Sequence, residues 1–114
     1  MKSFWKDKKV LVTGGAGFIG SHVVEILLNY GAKVSITTHT GDLEKVKEFK
    51  KDIKVIKADL TNHADAKRAL KGTDIVLHLA SKVAGIQYNL NHPATMFSDN
   101  VKIGQNVIQS CLEN

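Results

Sequence analysis

One cysteine and one proline occur in the 114 residues, and no long apolar run is present. The lone Cys111 excludes an internal disulfide and fits a reducing, cytoplasmic compartment. Because it stands in a helical pattern, it is expected as a buried structural thiol. The longest apolar stretch, Val23 to Leu28, is broken by Glu25, which argues against a membrane-spanning helix. The basic segment Met1 to Lys9 carries no apolar leader, so no signal peptide is expected. Histidines 22, 39, 63, 78 and 92 form no H-E-x-x-H or comparable spacing, and no metal site is expected. Acidic residues are the scarcer charge: 11 against 16 basic ones leave a net charge of +5 and a pI near 9.4. The basic residues are dispersed and alternate with acids, as between Asp42 and Asp52, without an aromatic stacking platform. That pattern describes a solvated surface rather than a nucleic-acid interface.

What is present is a regular alternation of strand and helix signals within one domain, 1–114. Val10-Leu11-Val12 reads as a buried strand. Ile19, Val23, Leu27 and Tyr30 recur at helical spacing from Phe18 to Tyr30, and Gly31 stops that helix. Val34 to Thr37 is a second strand, and Leu43, Val46 and Phe49 mark one face of a short charged helix. Val55 to Ala58 makes a third strand, followed by a helix lined by Ala66, Ala69 and Leu70 and closed by Gly72. Ile75 to Ala80 is the fourth strand, Val83 to Asn91 a loop, and Pro93 opens a last helix to about Leu112. The predicted fold is α/β: a Rossmann-type parallel sheet of order 3-2-1-4 with helices on both faces, truncated after the fourth βα unit. Strands five and six of a doubly wound sheet have no counterpart. The switch point between strands one and four, where such sheets bind ligands, is present.

The segment Thr13-Gly14-Gly15-Ala16-Gly17-Phe18-Ile19-Gly20 follows a strand and opens a helix, which makes its glycine spacing specific. Gly14 permits the tight turn, Gly17 admits a pyrophosphate against the backbone, and Gly20 lets the helix pack closely. Free amides at the helix start would then hold a diphosphate. The G-x-x-G-x-x-G spacing, with Thr13 before it and Phe18-Ile19 inside, resembles the extended short-chain dehydrogenase/reductase family of sugar-nucleotide epimerases and dehydratases. The resemblance spans almost the whole chain. It implies NAD(P) contacts from Gly14, Gly17, Phe18, Ile19 and Gly20, from Thr38 and His39, from Asp59 and Leu60, from Leu79, Ala80 and Ser81, and from Asn100. For Asp59 the family role is an adenine contact and the plainer alternative a helix-approach cap. His78 is expected in the packing between layers.

Lys82-Val83-Ala84-Gly85-Ile86, with Asn91 to Ala94, is similar to GDP-L-fucose synthase-like enzymes, which makes Lys82 and Val83 candidate substrate contacts. A solvated loop charge is the other reading of Lys82. The implied substrate is a nucleotide-diphosphate hexose, most plausibly GDP-linked. An NAD enzyme of this fold normally ends its second strand in an acid that binds the ribose 2′-hydroxyl. Thr38 stands there instead, followed by His39 and Thr40, so NADP is expected over NAD. The family's Tyr-x-x-x-Lys pair is missing: four residues after Tyr30 is Val34, and after Tyr88 is His92. No catalytic residue is therefore expected in this chain. The sequence reads as the NAD(P)-binding portion of a larger sugar-nucleotide enzyme; a stand-alone binding or sensing module is the alternative. Self-association through Ile75 to Ala80 or the last helix is expected, because an uncovered apolar edge invites another chain.

Overall fold

The computed structural model describes residues 2–82 and 86–114. After a single helical turn α1 (Lys2–Trp5) come β1 (Lys9–Thr13), α2 (Phe18–Asn29) and β2 (Lys33–Thr38). A 3-10 helix (Glu44–Asp52) leads to β3 (Ile53–Lys57), α3 (His63–Leu70) and β4 (Ile75–His78). Two helices close the chain, α4 (Ile86–Asn91) and α5 (Pro93–Glu113). The four strands form one parallel sheet of order β3-β2-β1-β4, as the alternation predicted.

Alternate residues of a strand face opposite sides of a sheet, and here they divide the core in two. Val10, Val12, Val34 and Ile36 pack with Val24 and Leu27 of α2 and Val46 of the 3-10 helix. Leu11 faces the other way, onto Ala66, Ala69 and Leu70 of α3 and Ile103 and Val107 of α5. With β1 central and both faces covered, its C-terminal end is where the helices part.

Several sequence expectations need correction. In α2 the buried stripe is Gly20, Ser21, Val24 and Leu27; Phe18 and Ile19 are 71% and 66% exposed. Leu43, Val46 and Phe49 do pack on the same core, Val46 buried within the 3-10 segment, Leu43 at its N-cap and Phe49 at a kink where the helical dihedrals break. β3 begins two residues earlier than expected, and β4 stops at His78. The expected loop from Val83 to Asn91 contains α4, while Val83 to Gly85 lie outside the described residues. Cys111 is exposed: Ile103, Val107 and Ser110 face inward from α5, and the next residue turns about 100° away. His78 is likewise not packed between layers: its ring is part-exposed at the open end of the edge strand, with the Nδ1 edge turned inward onto Thr13.

Candidate functional site

At the C-terminal end of the sheet lies a cleft of about 690 Å³. Its floor is the turn between β1 and α2, and its glycines have separate jobs. Gly14 adopts φ +67° and presses on the segment that follows β4, since a Cβ there would sit 3.0 Å from the Ala80 Cα. Gly15, which the sequence pattern passed over, is buried so tightly that a Cβ would fall 2.4 Å from the Ile36 Cγ2. Gly20 holds α2 against the turn, its hypothetical Cβ being 2.3 Å from the Gly14 carbonyl oxygen. Gly17 differs: a Cβ there would meet only the Gly14 carbonyl oxygen, at 3.3 Å, and the residue is open to the cleft. Its missing side chain is not required by the fold. It leaves a cradle that a Cβ would fill.

Gly17 is also the N-cap of α2 and gives no side-chain cap. A helix start leaves amides without intrahelical partners and carries partial positive charge, so the mouth of α2 suits an anion.

The walls come from the ends of the other strands. From β2, Thr38 is 8% exposed and its Oγ1 accepts the Gly41 amide, while His39 and Thr40 stand open in the cleft. Asp42 lines the same wall, and one of its oxygens accepts the Glu44 amide. From β3, Asp59 accepts the Thr61 hydroxyl at 2.6 Å and the Thr61 amide at 3.0 Å on one oxygen. These two bonds hold the carboxyl below its ordinary range, so it is ionised at neutral pH. The cap of the following helix, the plainer alternative for Asp59, falls instead to Asn62, whose side chain accepts the Asp65 amide; Asp59 bonds Thr61 and lines the cleft.

Beyond β4, Leu79, Ala80, Ser81 and Lys82 complete the wall. Asn100 is not on the lining; it works behind it. Its Oδ1 accepts the Lys82 amide at 2.6 Å and its Nδ2 donates to the Lys82 carbonyl at 3.0 Å, fastening this segment to α5. The Lys82 ammonium donates to Asp99 at 2.7 Å, which raises its pKa, and lies 5.9 Å from the centre of the Tyr88 ring. Of the sequence candidates, all the described ones except Asn100 reach the cleft; Val83 lies outside the described residues. Sequence reasoning missed Asp42, Asp99, Thr61 and Ile103, which no motif flags because they converge only in three dimensions. Tyr88 stacks on His92 at 4.1 Å. Among the described residues no group of three His, Cys, Asp or Glu could hold a metal, and no helix is long and apolar enough to cross a membrane.

The family model for the NAD dependent epimerase/dehydratase family matches residues 10–114. Tetraketide alpha-pyrone reductase 2 of Arabidopsis thaliana is 37% identical over 111 residues, covering 91% of this chain and 34% of that protein. The Thermus thermophilus UDP-glucose 4-epimerase, solved with NAD, is 36% identical with a TM-score of 0.75, over 90% of this chain and 33% of its own. The UDP-N-acetylglucosamine 4-epimerase of Methanobrevibacter ruminantium, solved with UDP-N-acetylmuramic acid, is 35% identical with a TM-score of 0.79, over 96% and 35%. The chain thus spans about a third of the length of these proteins.

Proposed function

Since the chain belongs to the NAD-dependent epimerase/dehydratase family, we propose that it forms the NAD(P)-binding portion of an enzyme that oxidises and reduces a nucleotide-diphosphate hexose. The observation that carries this reading is the open cradle at Gly17 beside the uncapped start of α2. When bound, the dinucleotide supplies a hydride acceptor and donor. The chain's own residues bind and orient it: the amides at the start of α2 take the pyrophosphate, and the ends of β2 and β3 flank the adenosine. Leu79 to Ser81 flank the nicotinamide side, with Lys82 at the sugar-nucleotide end.

NADP is the preferred cofactor, because Thr38, His39 and Thr40 offer hydrogen-bond donors where an acid would repel a 2′-phosphate. Asp42 stands on the same wall, beyond the end of β2, with one oxygen accepting the Glu44 amide. A positioned general acid/base typically contributes about 10²- to 10⁴-fold, and the Tyr-x-x-x-Lys pair that would supply it is not in this sequence. Calorimetry should therefore show NADP binding more tightly than NAD, while assays with GDP-, UDP- and dTDP-hexoses stay flat. Turnover by this chain, or a clear preference for NAD, would overturn the corresponding part of the reading.

We also assign self-association to the outer face of α5. Phe97, Val101, Ile108 and Leu112 are 73%, 48%, 65% and 78% exposed and fall on one side of that helix, away from its buried face. An apolar stripe of this length fits a second copy of the chain. Sedimentation over a range of concentrations should show association that Phe97→Asp with Ile108→Asp reverses. A monodisperse monomer at high concentration would refute it.

A further inference from the structure

Thr13 stands at the end of β1, fully buried, with its hydroxyl oxygen at the centre of three hydrogen bonds. The amides of Leu79 and Ala80 both donate to Oγ1, at 3.0 and 3.1 Å. A hydroxyl has two lone pairs and one proton. The two amides occupy the lone pairs, so the proton must go to the third partner, the His78 Nδ1 at 2.7 Å. Nδ1 is then an acceptor, which fixes His78 as a neutral ring with its proton on Nε2.

This junction sits where the cleft's floor meets its wall. The Ala80 backbone held by Thr13 is the same one on which Gly14 rests. The Gly14 amide in turn donates to the buried Thr37 at 3.2 Å. A proton added at Nδ1 would turn an acceptor into a donor facing an oxygen with no lone pair to spare. The hydroxyl would have to rotate and release the Leu79 or the Ala80 amide.

Building on the dinucleotide reading, we propose that His78 is a positioning residue for the cofactor groove, acting through Thr13, and that only its neutral form holds the groove in register. Burial lowers the His78 pKa, in the direction this bonding requires. The ionisable groups at this end of the sheet are His39, Asp42 and Asp59 on the β2 and β3 walls, Lys82 and Asp99, paired with each other, Tyr88 on α4 and His92 at the start of α5. None of them contributes to the shift. From β1 the facing group is Thr13, which does not titrate. The neutral form is the binding form, so affinity is complete above the ordinary histidine pKa and falls as pH drops through the lowered one.

NAD is the probe, since it lacks the 2′-phosphate that would itself titrate in this range. The 114-residue chain should hold its NAD affinity above the ordinary histidine range and lose it as pH falls through the lowered His78 pKa, approaching a limiting slope of one proton, about tenfold per pH unit, below it. In His78→Asn, whose Oδ1 can accept the Thr13 proton without titrating, that component should vanish. In His78→Leu, which has no acceptor, binding should be weaker at every pH. Nitrogen-detected NMR of the free chain gives a second readout: at pH 8 the ring proton should lie on Nε2. A proton on Nδ1, or identical pH profiles for the parent chain and His78→Asn, would overturn the proposal. Absence of NAD and NADP binding at pH 8 would instead refute the dinucleotide reading on which it rests.

Discussion

Gly17→Val is expected to weaken dinucleotide binding by at least about 100-fold while leaving the chain folded. The backbone at Gly17 has φ −78° and ψ −179°, which a β-branched residue adopts without strain. The first side-chain atom would meet only the Gly14 carbonyl oxygen, at 3.3 Å, and the rest would project into the cleft. The fold therefore tolerates the change. A diphosphate does not, because the branched side chain fills the space in which it would reach the amides of α2. Charge-assisted hydrogen bonds are worth about 1.5–3 kcal/mol each, and losing two corresponds to at least about 100-fold. Calorimetry with NADP, alongside thermal denaturation of the same samples, checks both halves. Unchanged affinity would mean that the pyrophosphate does not sit on this turn.

Gly20→Ala should do the opposite and damage the fold first. In an ordinary helix interior this substitution stabilises by about 1 kcal/mol. Here the added Cβ falls 2.3 Å from the Gly14 carbonyl oxygen and 2.8 Å from the Gly15 Cα, both backbone atoms that no rotamer change can move. Relief requires α2 to lift from the turn, and overpacking of this kind costs about 1–3 kcal/mol or more. A domain of this size should then lose roughly 5–15 °C in Tm. A variant melting at or above the parent temperature would show that α2 can shift freely and would undercut the tight-contact account. The two glycines, three residues apart, thus separate binding from packing.

The contrast also shows how much of the molecule could be read before its structure. Strand order, the placement of Pro93 at the start of the last helix, and the glycine turn followed from periodicity and breaker residues. The buried face of α2 did not, because apolar periodicity cannot register Gly20 and Ser21, whose burial depends on their small size. It was drawn instead to a stripe that begins at Ile19, a large residue aimed at the cleft. Gly15 was invisible for the same reason: its constraint comes from Ile36, on a different strand. Asp99 and Asn100 are adjacent in sequence, yet one pairs with the Lys82 ammonium and the other with its backbone. Thr13 lay inside the recognised motif, but its union with His78 joins residues 65 positions apart.

That same separation gives the sheet an order of assembly. In register, β1 meets β2 across 24 residues, Lys9 to Lys33, and meets β4 across 65, Val10 to Ile75. Closing the longer loop costs about 0.9 kcal/mol more in chain entropy, at about 0.6 kcal/mol per doubling of length. The β1–α2–β2 unit, with the glycine turn inside it, is the more local structure and is expected to form earlier. The seam between β1 and β4 is expected to zip later. During synthesis the turn can form as soon as β2 has emerged, but the groove has only one wall until residue 80 is available to bond Thr13.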